Sequence, residues 1–380
     1  MNLARYENLF LKGIIIKYIH YLNVMRFDAA IIGGGAAGNM TAWLLARRGY
    51  KIVVLEKKGS IGKEVCGGLV THRVLEMSKT EAVLNEIKGA YVYFPDGREI
   101  CIGGDKTHAY VIDRRKFDSE LAEKAMAEGA VYKLKFAVKK ISGDRIEGKE
   151  DMKFDYLIGA DGALSKVAKQ FDMGDIGYIN AVQGEAKIHA DENFVRVYIN
   201  KSIAPGFFSW IIPDGEKARI GLGSSEKGLK KKIDDFAKML KAEIKNVKGG
   251  IIPVGMRKFF RDNVALIGDA AGQVKATSGG GIYASLLAAN ILAENFPDFK
   301  KYEEEFMKKF GREIKKTILA RKIFLKLGNE DFNYIANYIE KEIEIINKYG
   351  DIDYQAKVAK EVVKRHPAIA VYLLKKIIWP

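Results

Sequence analysis

Short apolar runs alternate with amphipathic stretches along the first part of the chain. Phe27–Ile32 and Lys51–Leu55 predict two buried strands, and Thr41–Arg48 between them predicts a helix. A glycine turn, Gly33–Gly38, joins the first strand to the helix, and Glu56 follows the second strand. This order of strand, turn, helix and strand predicts a βαβ unit that opens a parallel sheet.

The middle of the chain changes to short strands. Tyr91–Phe94 and Glu99–Ile102 predict a hairpin turned at Pro95-Asp96-Gly97, and residues 181–224 predict further strands joined by short turns. Residues 226–248 predict a basic amphipathic helix. Short strands joined by turns, followed by a basic amphipathic helix, are therefore expected in the middle of the chain.

Apolar helical patterns dominate the last part of the chain. After a short strand at Val264–Ile267, a long apolar helix is predicted over roughly 281–294, and residues 300–380 predict helices throughout. No long flexible linker separates these segments, so we expect interleaved domains. The predicted boundaries are 25–84, 106–180 and 250–298 for a nucleotide-binding domain, 85–105 and 181–249 for a substrate domain, and 299–380 for a helical region.

Composition excludes several classes of protein. Hydrophobic residues make up 48% and charged residues 29% of the 380 residues, which excludes a disordered, collagen-like or multi-span membrane chain. Two cysteines, Cys66 and Cys101, cannot build a disulfide framework or a four-cysteine zinc site. The histidines lack metal-ligand spacing, at His72, His108, His189 and His366. We expect no metal and a cytoplasmic location.

The formal net charge of +15 favours acidic partners. One explanation is a thermophilic source or an AT-rich genome, in which proteins use lysine heavily. The other is peripheral contact with an anionic membrane through 226–248, 300–326 and the basic C-terminus. No recognition motif accompanies the basic stretches, so nucleic acid is not expected. Residues 1–24 are an N-terminal extension with two open interpretations: a misplaced start codon upstream of Met25, or an interfacial helix.

Three glycine-containing turns carry the candidate chemistry. Gly33, Gly35 and Gly38 have the G-x-G-x-x-G spacing, and Glu56 lies 23 residues after Gly33, where an acid can bind ribose hydroxyls. The other turns are Gly159-Ala160-Asp161-Gly162 and Gly268-Asp269-Ala270-Ala271. A nicotinamide dehydrogenase needs only the first turn, whereas an extended FAD needs more than one strand end.

This set of turns resembles the FAD-dependent hydroxylase-like superfamily. The resemblance covers about residues 27–290 and implies an α/β fold of the p-hydroxybenzoate hydroxylase type. In that fold a Rossmann-like FAD-binding domain is interleaved with an antiparallel-sheet substrate domain, and C-terminal helices follow here.

Further motifs resemble the geranylgeranyl reductases, in particular the archaeal digeranylgeranylglycerophospholipid reductases. They are Cys66-Gly67-Gly68, Tyr110–Arg114, Phe208-Ser209-Trp210-Ile211-Ile212-Pro213 with Gly221-Leu222-Gly223, and Gly279-Gly280-Gly281-Ile282. The resemblance implies an FAD-dependent oxidoreductase acting on CH–CH groups, which saturates the C=C bonds of geranylgeranyl chains in membrane lipid biosynthesis.

The resemblance also implies roles for individual residues. Besides the three motif glycines, the implied FAD contacts are Glu56, Cys66, Gly67, Leu69, Arg114, Asp269, Gly281 and Ile282. A helix beginning at Gly281 and Ile282 would stabilise a reduced, anionic flavin through its free N–H groups. Cys66 is a candidate proton donor or a small packing residue. Four aromatic residues either line a tunnel for the lipid chain or belong to the hydrophobic core: Tyr198, Phe207, Phe208 and Trp210.

Two other functions stay open at this stage. A flavin-dependent hydroxylase or halogenase would share most of the motifs, and a non-catalytic isoprenoid-lipid binding protein would keep FAD structurally. We expect a ferredoxin or NAD(P)H as the electron donor, and the lack of a separate nicotinamide motif fits both equally well.

Overall fold

The computed structural model describes residues 25–62, 65–147, 151–188, 191–215 and 217–378. The predicted extension 1–24 and His189 lie outside these residues. The strands are, in chain order, β1 (Arg26–Ile32), β2 (Ile52–Leu55), β3 (Leu69–Val70), β4 (Val83–Ile87), β5 (Gly89–Tyr93), β6 (Glu99–Gly103), β7 (Ala109–Ile112), β8 (Val131–Lys133), β9 (Lys140–Ser142), β10 (Arg145–Glu147), β11 (Met152–Gly159), β12 (Gly177–Ala186), β13 (Phe194–Tyr198), β14 (Ser209–Pro213), β15 (Ala218–Ser224), β16 (Lys245–Val254), β17 (Phe260–Arg261) and β18 (Val264–Leu266).

The helices surround these strands. They are α1 (Ala36–Ala46), α2 (His72–Ser78), α3 (Arg114–Ala127), α4 (Lys166–Gln170), α5 (Leu229–Leu240), α6 (Ile282–Asn295), α7 (Phe299–Phe306), α8 (Arg312–Lys326), α9 (Asn329–Lys341), α10 (Ile343–Tyr349), α11 (Gln355–Arg365) and α12 (Pro367–Ile378). A 3₁₀ turn covers Gly268–Ala270, and a π-helical turn at Met307–Gly311 connects α7 to α8. Within the described part of the chain, no helix has both the length and the apolar character needed to cross a bilayer.

The first sheet has the strand order β17-β18-β11-β1-β2-β8, with β10 and β9 added beside β11. Strands β18, β11, β1, β2 and β8 run parallel to one another, whereas β17 and β10 are antiparallel to β18 and β11. The side chains of β1 and β2 are almost completely buried, as expected for a parallel sheet with helices packed against it. Because parallel strands end at the same edge, the turns after β1, β11 and β18 lie together.

The second sheet has the order β16-β12-β15-β14-β13-β5-β6 and is antiparallel except where β13 meets β5. Helix α5 covers one face, where Ile233 and Phe236 are buried against Val182, Ile211 and Ile220. A third, three-stranded sheet, β3-β7-β4, contributes residues to the core on the opposite face. These sheets and the C-terminal helices confirm the predicted α/β class with a second, antiparallel sheet.

The helix predicted over residues 226–248 is wrong in its second half. Helix α5 ends at Leu240, Lys241 adopts a left-handed conformation with φ 52°, and the chain returns as strand β16 beside β12. Ile244 and Val247 still pack against the core under α5. The pairing of β16 with β12 shifts between Gln183 and Glu185 and places one extra residue on β16, so Ile244 and Val247 reach the same core at a three-residue spacing that imitates a helix.

Candidate functional site

The turn after β1 is tightly closed on one side and open on another. Gly33 has φ +109°, and a Cβ added there would lie 2.4 Å from the carbonyl oxygen of Ala160. A Cβ on Gly38 would lie 2.0 Å from the carbonyl oxygen of Gly33. Around Gly35, in contrast, an added Cβ would meet no atom within 4 Å. The turn therefore requires glycine for packing at two positions and leaves open space at the third.

Glu56 lies directly beside this turn. Its Oε2 atom accepts a hydrogen bond of 2.8 Å from the Gly34 N–H, and its Oε1 atom accepts one of 2.8 Å from the Lys58 N–H. The carboxylate retains further lone pairs because each oxygen can accept more than one hydrogen bond. Glu56 thus orients the turn and presents an acceptor beside it.

The turns after β11 and β18 are joined by a buried arginine that sequence analysis missed. Arg257 is 7% exposed; its Nη1 atom donates to Ala270 O at 2.7 Å and its Nη2 atom to Ala163 O at 3.2 Å. Its Nε atom donates to Gly174 O at 2.9 Å. The sequence around Arg257 is rich in lysine and arginine and does not distinguish a buried guanidinium from a surface charge. Its burial in the structure makes that distinction.

Asp269 lies at the start of helix α6. A Cβ added to Gly281 would be 3.3 Å from Asp269 Oδ1, and Gly281 is the N-cap of α6, which begins at Ile282. The first N–H groups of a helix have no partners within it. The structure thus brings Asp269, Gly281 and Ile282 together at the edge where the parallel strands end.

Cys66 lies in a polar environment formed by Arg114. Arg114 Nη1 donates to Cys66 Sγ at 3.2 Å, and Arg114 Nη2 donates to both carboxylate oxygens of Asp118 at 3.0 and 3.1 Å. Burial alone would lower the pKa of Arg114, but the negative charges of Asp118 and Cys66 raise the pKa above its ordinary value. The guanidinium therefore remains charged, and it stabilises negative charge on the sulfur of Cys66.

The segment 66–68 is held by side chains of the second sheet. Gln183 Nε2 donates to Cys66 O at 3.1 Å, and Gln183 Oε1 accepts from Trp210 Nε1 at 3.0 Å. Arg219 Nη1 donates to Gly67 O at 2.9 Å. Gly68 has φ +70°, and a Cβ there would lie 2.2 Å from Arg219 Nη1. Gln183 and Arg219 were not predicted as site residues.

One face of the second sheet carries most of the predicted lining residues. Phe208, Trp210 and Gln183 share this face, which we call the aromatic face, because Trp210 pairs with Gly221 and Gly221 with Gln183. A Cβ on Gly221 would lie 2.5 Å from the Trp210 ring. The adjacent Phe207 ring stacks on Phe208 with 4.2 Å between centroids. The glycine of the motif thus makes room for the indole.

Tyr198 lies on the opposite face. It pairs with Ser209, one residue before Trp210, and packs against Phe236 of α5 with 5.3 Å between ring centroids. Its other ring neighbour is Tyr93, stacked at 4.5 Å. The structure therefore brings three of the four predicted aromatic residues together and separates Tyr198 from them.

The aromatic face meets both segments that the sequence assigned to a flavin. Segment 66–68 is bonded to it through Gln183, and a Cβ on Gly279 would lie 3.0 Å from Ile252 of β16. Ile252 pairs with Ile179, which shares the aromatic face with Gln183. A polar cavity of about 500 Å³ opens beside Cys66, lined by Arg114, Gln183, Arg219 and Lys248 among others.

A buried ion pair lies behind the glycine cluster. Lys275 is 2% exposed, and its ammonium lies 3.3 Å from Asp353 Oδ1. Burial lowers the pKa of Lys275, and the charge of Asp353 opposes that shift. A Cβ on Gly280 would lie 3.1 Å from Lys275 Cε, so the Lys275 side chain packs directly against the glycine cluster. Neither residue was predicted, because 78 positions separate them in the sequence.

Comparisons with known proteins show which families this chain resembles. Residues 28–79 match the family model of FAD-dependent oxidoreductases, and residues 178–256 match that of the geranylgeranyl reductase catalytic domain. A digeranylgeranylglycerophospholipid reductase of Methanococcus vannielii is 30% identical, over 92% of this chain and 98% of that protein. An uncharacterized protein of Methanocaldococcus jannaschii is 31% identical, over 90% and 96%.

A solved structure extends the likeness to the fold. The geranylgeranyl bacteriochlorophyll reductase-like protein of Thermoplasma acidophilum superimposes with a TM-score of 0.79 at 24% identity, covering 93% of this chain and all of that one. The arrangement of the two sheets and the C-terminal helices is thus shared with that protein.

Proposed function

Because the chain belongs to the geranylgeranyl reductase family, we propose that it is an FAD-dependent reductase that saturates C=C bonds in the geranylgeranyl chains of membrane lipids. The family membership rests on the digeranylgeranylglycerophospholipid reductase of Methanococcus vannielii, which matches most of the chain. The proposal adds the cofactor, the substrate class and the residues that act on them.

The residues at the edge of the first sheet fit FAD. The open space at Gly35 can admit a pyrophosphate, and Glu56 offers an acceptor for ribose hydroxyls. The Nε atom of Arg114 is buried and has no hydrogen-bond partner among the described residues, as expected for a donor that serves a ligand. The residues that would hold FAD are Gly33, Gly35, Gly38, Glu56, Cys66, Gly67, Leu69, Arg114, Asp269, Gly281 and Ile282.

One observation carries the substrate class. The aromatic face, with Phe208 and Trp210, lies against both segments that would contact the flavin, 66–68 and 279–281. An extended isoprenoid chain has no polar groups to recognise, so aromatic and aliphatic surface beside the flavin is the lining that it requires. We propose that Phe207, Phe208 and Trp210 contact the chain and that Tyr198 does not.

Saturating an isolated double bond requires one hydride and one proton. Reduced FAD supplies the hydride when it is bound. We propose that the Cys66 thiol gives its proton to the second alkene carbon and that Arg114, 3.2 Å away, stabilises the thiolate left behind. A proton from solvent then reaches the sulfur through the polar cavity beside Cys66 and restores the thiol.

The reaction also requires a source of electrons and access to lipid. Relatives named as reductases imply a lipid substrate and a reductant. We propose a ferredoxin or NAD(P)H as the electron donor and peripheral contact with a membrane as the route to the lipid.

The test is anaerobic. The purified protein, with its flavin reduced by dithionite, is mixed with a digeranylgeranylglyceryl phospholipid, and lipid mass and flavin absorbance are followed together. We expect a gain of two hydrogens per double bond, with one flavin reoxidised for each bond reduced.

Unchanged lipid beside a flavin that stays reduced would refute the proposed reaction for that substrate. Admitting air and a panel of aromatic compounds then tests the alternative. Hydroxylated or halogenated products in that arm would identify an oxygen-dependent enzyme.

A further inference from the structure

We propose that the outward side of α8 and α12 is a docking surface for an anionic lipid bilayer. The inference rests on the proposed function in one respect only, namely that the substrate is a membrane lipid. The observations that support it are charge, exposed apolar side chains and the position of α8 beside the aromatic residues.

Positive charge is concentrated in three of the C-terminal helices. Helices α8, α11 and α12 together carry 12 Lys and Arg residues and two Glu residues, a net charge of +10, against +15 for the whole chain. Arg321 of α8 is buried, and Lys376 of α12 pairs with Asp331. The four lysines of α8 are all exposed: Lys315, Lys316, Lys322 and Lys326. Each Lys or Arg near an anionic membrane surface favours binding.

Large apolar side chains are exposed among these charges. Leu319 on α8 is 59% exposed, and Val371 and Leu374 on α12 are each 53% exposed. Lys315 and Lys322 lie four residues before and three after Leu319, which puts them on the same side of the helix. An exposed apolar side chain surrounded by lysines is typical of helices that lie in a bilayer interface.

Helices α8 and α12 form one packed unit. The two helices contact each other, and Leu373 of α12 packs in the same apolar cluster as Ile323 and Phe324 of α8. The exposed apolar residues of α8 and α12 are therefore carried by two neighbouring helices that pack against each other.

The inner side of α8 reaches the candidate lipid site. Arg321 Nη1 donates to Gly206 O at 2.8 Å, and the Arg321 guanidinium lies 5.7 Å from the centroid of the Phe207 ring. A helix is about 10–12 Å across with its side chains. A bilayer at Leu319 would therefore lie about one helix diameter from the aromatic segment 207–210.

A bilayer fits this surface better than an acidic protein does. An acidic protein would match the lysines, but it would leave Leu319, Val371 and Leu374 without apolar contact unless it were also apolar there. The other basic helix, α5, has its lysines partly neutralised: Lys230 pairs with Asp234 and Lys232 with Glu226. Helix α5 therefore provides the control surface.

The test compares binding of the full chain to vesicles of phosphatidylglycerol and of phosphatidylcholine by co-sedimentation. We expect strong binding to phosphatidylglycerol vesicles only, and weaker binding in high salt because the Debye length falls from about 10 Å at 0.1 M to 3 Å at 1 M. Leu319→Glu and Val371→Glu should each lower the partition coefficient at least about tenfold, since each places a carboxylate in the contact. The control Met239→Glu, at a side chain 49% exposed on α5, should bind as the wild type does.

Several results would overturn the proposal: equal binding to both kinds of vesicle, no effect of Leu319→Glu and Val371→Glu, or loss of binding in Met239→Glu alone. Capture of an acidic protein with no vesicle binding would also overturn it. Wild-type protein that binds phosphatidylglycerol vesicles but does not reduce a digeranylgeranylglyceryl phospholipid mixed into them would refute the proposed function and leave the surface intact. Reduction of lipid with equal binding by all variants would refute the surface alone.

Discussion

The two cysteines of this chain differ in what surrounds their sulfur atoms. The Cys66 sulfur accepts a hydrogen bond from buried Arg114. Cys101 is an exposed residue of β6, and partial desolvation of its thiol, with the carboxylates of Glu99 and Asp191, raises the pKa of that thiol. A nearby cation lowers the pKa of a thiol, and nearby anions raise it. The two residues are therefore a matched pair for testing proton transfer.

Cys66→Ser should lower the rate of lipid reduction about a hundredfold, within the range of 10² to 10⁴ that general acid catalysis contributes. Flavin content should stay at the wild-type level, because serine keeps the size and backbone of the site. Cys101→Ser should have no effect on either quantity. Rate and flavin absorbance are measured on the same samples, and equal rates in all three proteins would show that the proton comes from another group.

Trp210 is connected to segment 66–68 through a second residue, Gln183. Its indole N–H bonds to Gln183, and Gln183 bonds to the Cys66 carbonyl, so Trp210 helps to set the position of Cys66 as well as lining the aromatic face. Trp210→Phe keeps an aromatic ring but removes the N–H donor together with part of the indole. We expect Cys66 to be alkylated by iodoacetamide several-fold faster in this variant, measured in a Cys101→Ser background so that one thiol reacts.

Gln183→Leu removes the same connection, and combining it with Trp210→Phe should add little to either single change, since both break one chain of hydrogen bonds. Phe208→Leu is the control. Phe208 lies on the aromatic face beside Trp210, but its side chain makes no hydrogen bond to Gln183 or Cys66. Faster alkylation in Phe208→Leu would indicate general loosening of the sheet and contradict a specific role for Trp210.

At the scale of elements, the turns of the first sheet depend on Arg257. It bonds to carbonyl oxygens in the turns after β11 and β18, which sequence alone could identify as turns but could not connect. Buried hydrogen bonds to a charged group contribute about 1.5–3 kcal/mol each. We expect Arg257→Met to lower the free energy of unfolding by about 3 kcal/mol, measured by urea denaturation, with Arg257→Lys intermediate.

The adjacent Lys258 gives the control for Arg257, because it is exposed and Lys258→Met removes one charge without a buried contact. If Lys258→Met destabilised the protein as much as Arg257→Met did, net charge and not the connected turns would be responsible.

Local patterns in the sequence identified most elements near the site. The strand and turn at Phe27–Gly38 and the helix after Gly281 depend on neighbouring residues alone, and both were predicted. The end of α5 was not, because apolar spacing did not reveal the turn at Lys241. Arg257 and Gln183 escaped prediction for another reason: their partners lie far along the chain, and a single sequence does not show which distant residues meet.

The whole molecule places its site between parts that are distant in sequence. Turns of the first sheet, the aromatic face of the second sheet and the segment around Asp353 all surround one region. Thr71 and Lys275 both bond to Asp353, so the C-terminal part of the chain is attached directly to the site. A cofactor bound there contacts several of these parts at once, and its binding should stabilise the complete fold.

Removal of FAD should therefore lower the melting temperature of the whole protein in a single transition. A ligand at 100 times its Kd stabilises the native state by about 2.7 kcal/mol, which corresponds to several degrees. Gly35→Val separates this effect from damage to the fold. Gly35 has φ −94° and open space around it, so valine fits the unliganded chain but fills the space proposed for the pyrophosphate.

Scanning calorimetry with and without added FAD should show a rise for the wild type and none for Gly35→Val, while the two unliganded proteins melt at similar temperatures. Gly38→Val should melt lower even without FAD, because its side chain meets the Gly33 carbonyl. A rise with FAD in Gly35→Val equal to that of the wild type would mean that the cofactor binds elsewhere. Since the site is assembled from both sheets and the C-terminal segment, a rise confined to one of two separate transitions would contradict the shared role of these parts.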